Sequence, residues 1–404
     1  MKWEKGKVFD LCDINPENVS RNYPHDYIRY FDITSVGSGV VSINDEIPLS
    51  EAPSRAKRVV RNYDTIIATV RPGNKSFYYF KTAFENSVAS TGFAVLRPKE
   101  NITDPRFLYY LISEPGFTAF LVAYEQGANY PAVNPDIIGE KPIEFPSLPA
   151  QRKIASILSA YDDLIENNLK RIRLLEEKAQ MHYKELMQEL SYARNKREEY
   201  IKDCLAFYIG GGWGEEDYKE GFSEPAFVIR GTDIPDAKKS EVKGVPFRYH
   251  KESNLASRSM QAGDIVFEVS GGSKGQPVGR SLLITEKLLA QFGQPAMCAS
   301  FCKLLRPNET VTPEFFYLYL LASHETGVIA QYEKHSASNI VNYGFEEFIG
   351  EQKINLPKET ELKAFTEKVK PIFALISTLG EQNSKLRVAR DILLPRLMSG
   401  QIEV

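Results

Sequence analysis

The chain has 404 residues, more than one ordinary hydrophobic core requires, so at least two folded units are expected. Hydrophobic residues make up 43% and charged residues 25%, with 26 Gly and 23 Pro, a balance that excludes collagen-like, mucin-like and disordered chains. A net charge of −3 excludes a polycation that holds nucleic acid by bulk charge, so binding of that kind must come from local patches. No apolar run approaches the roughly 18 residues of a membrane span. The start Met1-Lys2-Trp3-Glu4 leads into no signal-type segment. Cys12, Cys204, Cys298 and Cys302 are too scattered for a disulfide framework, and a cytoplasmic protein with reduced thiols is expected.

Residues 1–147 combine β-rich runs such as Ile66-Ile67-Ala68-Thr69-Val70 and Ser76-Phe77-Tyr78-Tyr79-Phe80 with Gly and Pro turns, and a helix follows Leu96-Arg97-Pro98. Seven cations lie between positions 55 and 81 (Arg55, Lys57, Arg58, Arg61, Arg71, Lys75, Lys81) against Asp64 alone, a patch suited to a polyanion. Its tip, Arg71-Pro72-Gly73-Asn74-Lys75-Ser76, offers guanidinium, amide, ammonium and hydroxyl groups of the kind that read base edges and phosphates. A solvated charged face is the bland alternative.

Residues 148–192 carry apolar side chains in steps of four and three: Ile154, Leu158, Tyr161, Ile165, Ile172, Leu175, Ala179 and Leu186, with polar Asn168 and His182 on the same line. That is a heptad seam, and about 40 residues make a helix of roughly 60 Å. Residues 193–354 repeat the plan of the first segment at a period of about 208. Leu305-Arg306-Pro307 matches Leu96-Arg97-Pro98, and Ala262-Gly263-Asp264-Ile265 matches Asn62-Tyr63-Asp64-Thr65. The second tip, Ser270-Gly271-Gly272-Ser273-Lys274-Gly275-Gln276 followed by Arg280, is again small, polar and basic. Residues 355–404 form a second seam through Leu362, Val369, Ile372, Ile376, Leu379, Asn383, Leu386, Leu393 and Leu397, where Pro371 and Gly380 predict a kink or break.

The fold class is therefore α+β. Two mixed domains, 1–147 and 193–354, are separated by long helices at 148–192 and 355–404. These are expected to pair as an antiparallel coiled coil in a pseudo-twofold tandem repeat, with the globular parts at opposite ends.

Catalytic signatures fail. No phosphate-binding Gly-x4-Gly-Lys loop is present, and Asn15-Pro16 and Asn134-Pro135 lack the aromatic partner used in amino methylation. Pro235-Asp236 with Glu241-Val242-Lys243 is similar to a nuclease motif but too short to span two strands. The five His show no metal spacing. Cys298-x3-Cys302 is expected to place two core thiols on one face of a strand, and Gly210-Gly211-Gly212-Trp213-Gly214 reads as a glycine turn with an anion nest as the sharper alternative. No catalytic, metal or cofactor site is expected.

The chain resembles the specificity subunits of type I restriction-modification enzymes. The likeness runs through Tyr27-Ile28-Arg29-Tyr30-Phe31-Asp32-Ile33-Thr34-Ser35-Val36, Ser54-Arg55-Ala56-Lys57-Arg58 and Thr69-Val70-Arg71-Pro72. It continues through Leu148-Pro149-Ala150-Gln151-Arg152-Lys153-Ile154-Ala155 to Leu393-Leu394-Pro395-Arg396-Leu397-Met398-Ser399-Gly400. In the second copy Leu356-Pro357 is followed by Lys358-Glu359-Thr360-Glu361 in place of the Gln151-Arg152-Lys153 of the first. The resemblance implies two target recognition domains, each reading half of a bipartite double-stranded DNA site. It also implies helices that dock two copies of a methylation subunit and set the half-site spacing, a restriction subunit in the full complex, and no chemistry in this chain. Candidate DNA contacts are Arg55, Lys57, Arg58, Arg71, Asn74 and Lys75 in the first domain and Ser270, Lys274, Gln276 and Arg280 in the second. The loops near Gln126 to Tyr130 and Lys334 to Asn339 are weaker candidates. The alternative is a coiled-coil scaffold whose end domains bind a ligand other than DNA.

Overall fold

The computed structural model describes residues 2–127, 131–192, 197–271, 277–335 and 341–404, the side chains of 335, 341 and 342 excepted. It resolves into two compact units, Met1–Asp163 with Arg387–Val404, and Leu164–Leu386, so each unit takes part of both long helices.

In the first unit the strands Cys12–Ile14, Phe93–Pro98, Thr65–Ala68 and Phe77–Tyr79 lie side by side in that order, all neighbours antiparallel. A second four-stranded sheet runs Glu46–Pro48, Tyr27–Phe31, Ser87–Ser90, Ala56–Val59, and its central pair is parallel. The second unit repeats this frame. Its first sheet runs Leu205–Gly210, Cys302–Pro307, Ile265–Glu268, Ser281–Leu283, and Ile265 faces Leu305 as Thr65 faces Leu96. Its second sheet has three strands, Phe247–His250, Glu224–Ile229 and Ala296–Cys298, again with one parallel pair. Each frame is pinned by the same buried ion pair. Arg97 holds Asp64 through two hydrogen bonds of 2.9 and 2.8 Å, and Arg306 holds Asp264 at 2.7 and 2.8 Å. Both carboxylates also accept a turn N–H three residues back, from Arg61 and Gln261. Burial pushes the Asp64 carboxyl upward in pKa against the hydrogen bonds from Arg97 and the Arg61 backbone.

The first long helix runs Leu148–Ser191 and the second Glu359–Met398. Gln151, 1% exposed, anchors the first. Its amide donates to the carbonyls of Ile102 and Pro146 and its Oε1 accepts from Asp104 N–H. In the first unit Ile154 and Leu158 share a core with Leu394, Leu397 and Met398, and Asp162 accepts from both Tyr110 and Arg390. In the second unit Tyr183 packs beside Phe365 while Asn168 donates to Asn383 at 2.9 Å, so numbers rise on one helix as they fall on the other. The pairing is antiparallel.

The expected break at Pro371 and Gly380 does not occur, for the helix continues through both. Pro371 is exposed, so the carbonyl it leaves unbonded, on exposed Glu367, stays in water. Gly380 is needed for packing: a Cβ there would lie 2.4 Å from the Lys239 carbonyl oxygen. The Cys298 and Cys302 thiols do not share a strand. Cys298 ends one strand and Cys302 starts the next, both are buried, and burial pushes the Cys298 thiol up to about 12.

Candidate nucleic-acid interface

The strand pair Thr65–Ala68 and Phe77–Tyr79 must be joined across a short distance, and Pro72 with its fixed φ starts one 3-10 turn, Pro72–Asn74. Closing that turn puts Arg71 at φ 47° and Lys75 at φ 55°, both left-handed and neither glycine. Such conformations cost of order 1 kcal/mol or more and gather at functional loops. The surroundings hold them in place. Arg71 N–H donates to the Pro131 carbonyl (2.9 Å), Asn74 N–H to Arg71 (2.9 Å) and Lys75 N–H to Pro72 (2.9 Å). Gln126 and Ala132 exchange two backbone bonds, so the Gln126 loop lies alongside the tip. Residues 128–130 of that loop fall outside the described residues.

Arg71, Asn74 and Lys75 are exposed. Arg55 and Lys57 are also exposed, and Arg55 belongs to the same end of the unit. The Arg55 carbonyl accepts from Thr91 N–H (2.8 Å), and the next residue, Gly92, gives its carbonyl to Thr69 N–H (2.8 Å), two residues before Arg71. The other cations of the stretch are committed elsewhere. Arg58 is half-buried and donates to Asn18 Oδ1 (2.8 Å), Arg61 pairs with Glu17 (2.6 Å), and Lys81 lies 3.9 Å from Asp163. The linear charge count therefore overstates the patch, because Glu17 and Asp163 are brought in from distant segments.

The second tip is built differently. Ser270 is buried, its short strand Ser270–Gly271 pairing with Val341–Tyr343. Arg280 makes a bidentate pair with Glu268 at 2.8 and 2.6 Å, and the Glu268 side chain is 3% exposed. That guanidinium is an internal tie. Lys274 and Gln276 lie outside the described residues, as do residues 336–340 of the Lys334 to Asn339 loop, while Lys334 itself pairs with Glu347 (2.5 Å). Among the described residues the second unit's sheet lacks a counterpart to the strand Ala56–Val59, which carries Lys57 and Arg58.

Other sequence candidates resolve into packing. Gly211 and Gly212 donate their N–H groups to the Cys302 and Cys298 carbonyls, and a Cβ on Gly211 would lie 2.2 Å from the Ala299 oxygen, so no anion nest forms there. Asp236 lies in a one-turn helix, Ile234–Ala237, and its carbonyl accepts from Glu241 N–H. Asn134 caps the helix Pro135–Glu140 through Asp136 N–H. Among the described residues no three His, Cys, Asp or Glu converge as metal ligands, and no helix is long and apolar enough to cross a membrane.

Residues 1–177 match the family model of the type I restriction modification DNA specificity domain. Over 463 aligned residues the chain is 24% identical to the type I restriction enzyme HindI specificity subunit of Haemophilus influenzae, spanning 98% of this chain and 99% of that one. It is 26% identical over 342 residues to the MjaIX specificity subunit of Methanocaldococcus jannaschii, spanning 81% and 75%. Residues 1–177 thus match a type I DNA specificity domain, and nearly the whole chain is similar to a type I specificity subunit. The S subunit of a type I system from M. genitalium has the same fold, with a TM-score of 0.55 at 16% identity and coverage of 98% and 96%.

Sequence reasoning did not single out the exposed Phe301. It sits in the turn Ala299-Ser300-Phe301 and is 62% exposed. The signal was the alignment of Leu96 with Leu305, which sets the turn before Phe93 against the turn before Cys302.

Proposed function

We propose that the chain is the DNA-reading, non-catalytic subunit of a cytoplasmic type I methylation and restriction complex. Each unit reads one half of a bipartite double-stranded site. The long helices dock two copies of the methylation subunit and set the gap between half-sites, and a restriction subunit joins the full complex. Methyl donor, metal and nucleotide chemistry belong to the partners.

The observation that carries this reading is the exposed set Arg71, Asn74 and Lys75 on a tip whose backbone is locked before any ligand arrives. A preformed loop loses little entropy on binding, and a guanidinium beside an amide can meet the acceptor and donor edges of the major groove. The test is a gel shift with and without purified methylation subunit. Affinity should fall steeply with salt and rise with the partner, while the chain alone transfers no label from a methyl donor. Indifference to DNA would leave a coiled-coil scaffold, and methyl incorporation above a protein-free blank would contradict the non-catalytic role.

A further inference from the structure

We propose that Phe301 reads the C5 methyl group of a thymine in the half-site bound by the second unit, an inference that rests on the DNA-reading function above. A single exposed aromatic is ordinary on a protein surface, so its exposure alone carries nothing. Its place in the frame carries the argument. The Phe301 carbonyl accepts from Val269 N–H (2.9 Å) and Ser270 N–H (3.3 Å), the two residues that lead into the second tip. In the first unit the same position is Gly92, whose carbonyl accepts from Thr69 N–H (2.8 Å), leading into the Arg71 tip. A Cβ on Gly92 would lie 3.1 Å from Ile33, whereas the turn of the second unit is one residue longer and holds a phenylalanine 62% in water.

That turn is rigid. Cys302 N–H closes it onto Ala299 (2.8 Å), and Gly211 packs beneath against the Ala299 and Cys298 carbonyls. Of the sequence candidates among the described residues, Ser270 is buried in the sheet and Arg280 is bound to Glu268. Lys303, two residues on, is held by Glu346 (3.2 Å). Among the described residues of this turn the large exposed side chain is apolar, and the apolar feature of a base edge in the major groove is the thymine methyl.

The test uses the full chain in complex with its methylation subunits on DNA carrying its mapped site. Each thymine is replaced in turn by deoxyuridine, which lacks only that methyl, for the unsubstituted chain and for Phe301→Ala. Thermal melting checks that the variant is folded. One position in one half-site should bind about fourfold more weakly without its methyl, as expected for about one buried methyl group. In Phe301→Ala that penalty should vanish. Specific binding that ignores every deoxyuridine, or a penalty of equal size in the variant, would overturn the role of Phe301 while leaving DNA reading intact. Loss of all specific binding in the unsubstituted complex would overturn DNA reading, and this inference with it.

Discussion

Two loops that leave equivalent strands of equivalent sheets differ in what they show to solvent. After Thr65–Ala68 the first unit exposes Arg71, Asn74 and Lys75. After Ile265–Glu268 the described residues of the second bury Ser270 and tie Arg280 to Glu268, while Phe301 is exposed in the neighbouring turn before Cys302. Beneath both lie the same sheet order and the same buried carboxylate held by an arginine from the neighbouring strand. The frame is thus held in both units by a buried carboxylate paired with an arginine, while the loops beside it carry different side chains.

The strongest way to break this comparison is to remove the shared element. Arg97→Ala and Arg306→Ala each strand a carboxylate that is 0% or 1% exposed, and each should destabilise its own unit by about 3–5 kcal/mol in urea unfolding. A marked difference between the two would mean that the frames are not energetically equivalent. The loops should separate cleanly. Arg71→Ala should weaken DNA binding by about 1–3 kcal/mol if it reads a base. Arg280→Ala should instead lower stability, because Glu268 loses its partner.

The helices sharpen the contrast at smaller scale. Gly380→Ala improves intrinsic helix propensity by roughly 1 kcal/mol yet should destabilise the second unit by about 1–3 kcal/mol, since its Cβ meets the Lys239 carbonyl at 2.4 Å. Calorimetry would decide the sign. The Asn168 and Asn383 pair is the smallest effect. The Asn383 Nδ2 group has no partner among the described residues, so replacing both by Leu should raise the melting temperature by a few degrees while loosening helix register. A destabilised double variant would contradict that account.

The sequence carried much of the architecture because its signals were local and repeated. The heptad steps through Ile154, Leu158, Ile165 and Ile172 mark residues that are buried, and Leu96-Arg97-Pro98 with Leu305-Arg306-Pro307 marks matching strands. What it could not convey were partners supplied by distant segments. The Arg61 cation is met by Glu17, the Arg280 cation by Glu268, and the absent side chain of Gly380 by a loop far away in sequence. Pro371 does not break the helix, and the carbonyl it leaves unbonded faces water, which periodicity does not report. Of the candidate contacts, Arg55, Lys57, Arg71, Asn74 and Lys75 are exposed. Arg58, Ser270 and Arg280 proved to be committed to the fold.

The most direct test of one frame with two independent readers is to map methylated sites in DNA from cells that express the chain with its methylation subunit, beside the same cells carrying Arg71→Ala. The account predicts two short specified blocks separated by an unspecified gap, with the variant relaxing one block and leaving the other unchanged. A single continuous block, or relaxation of both blocks together, would contradict it.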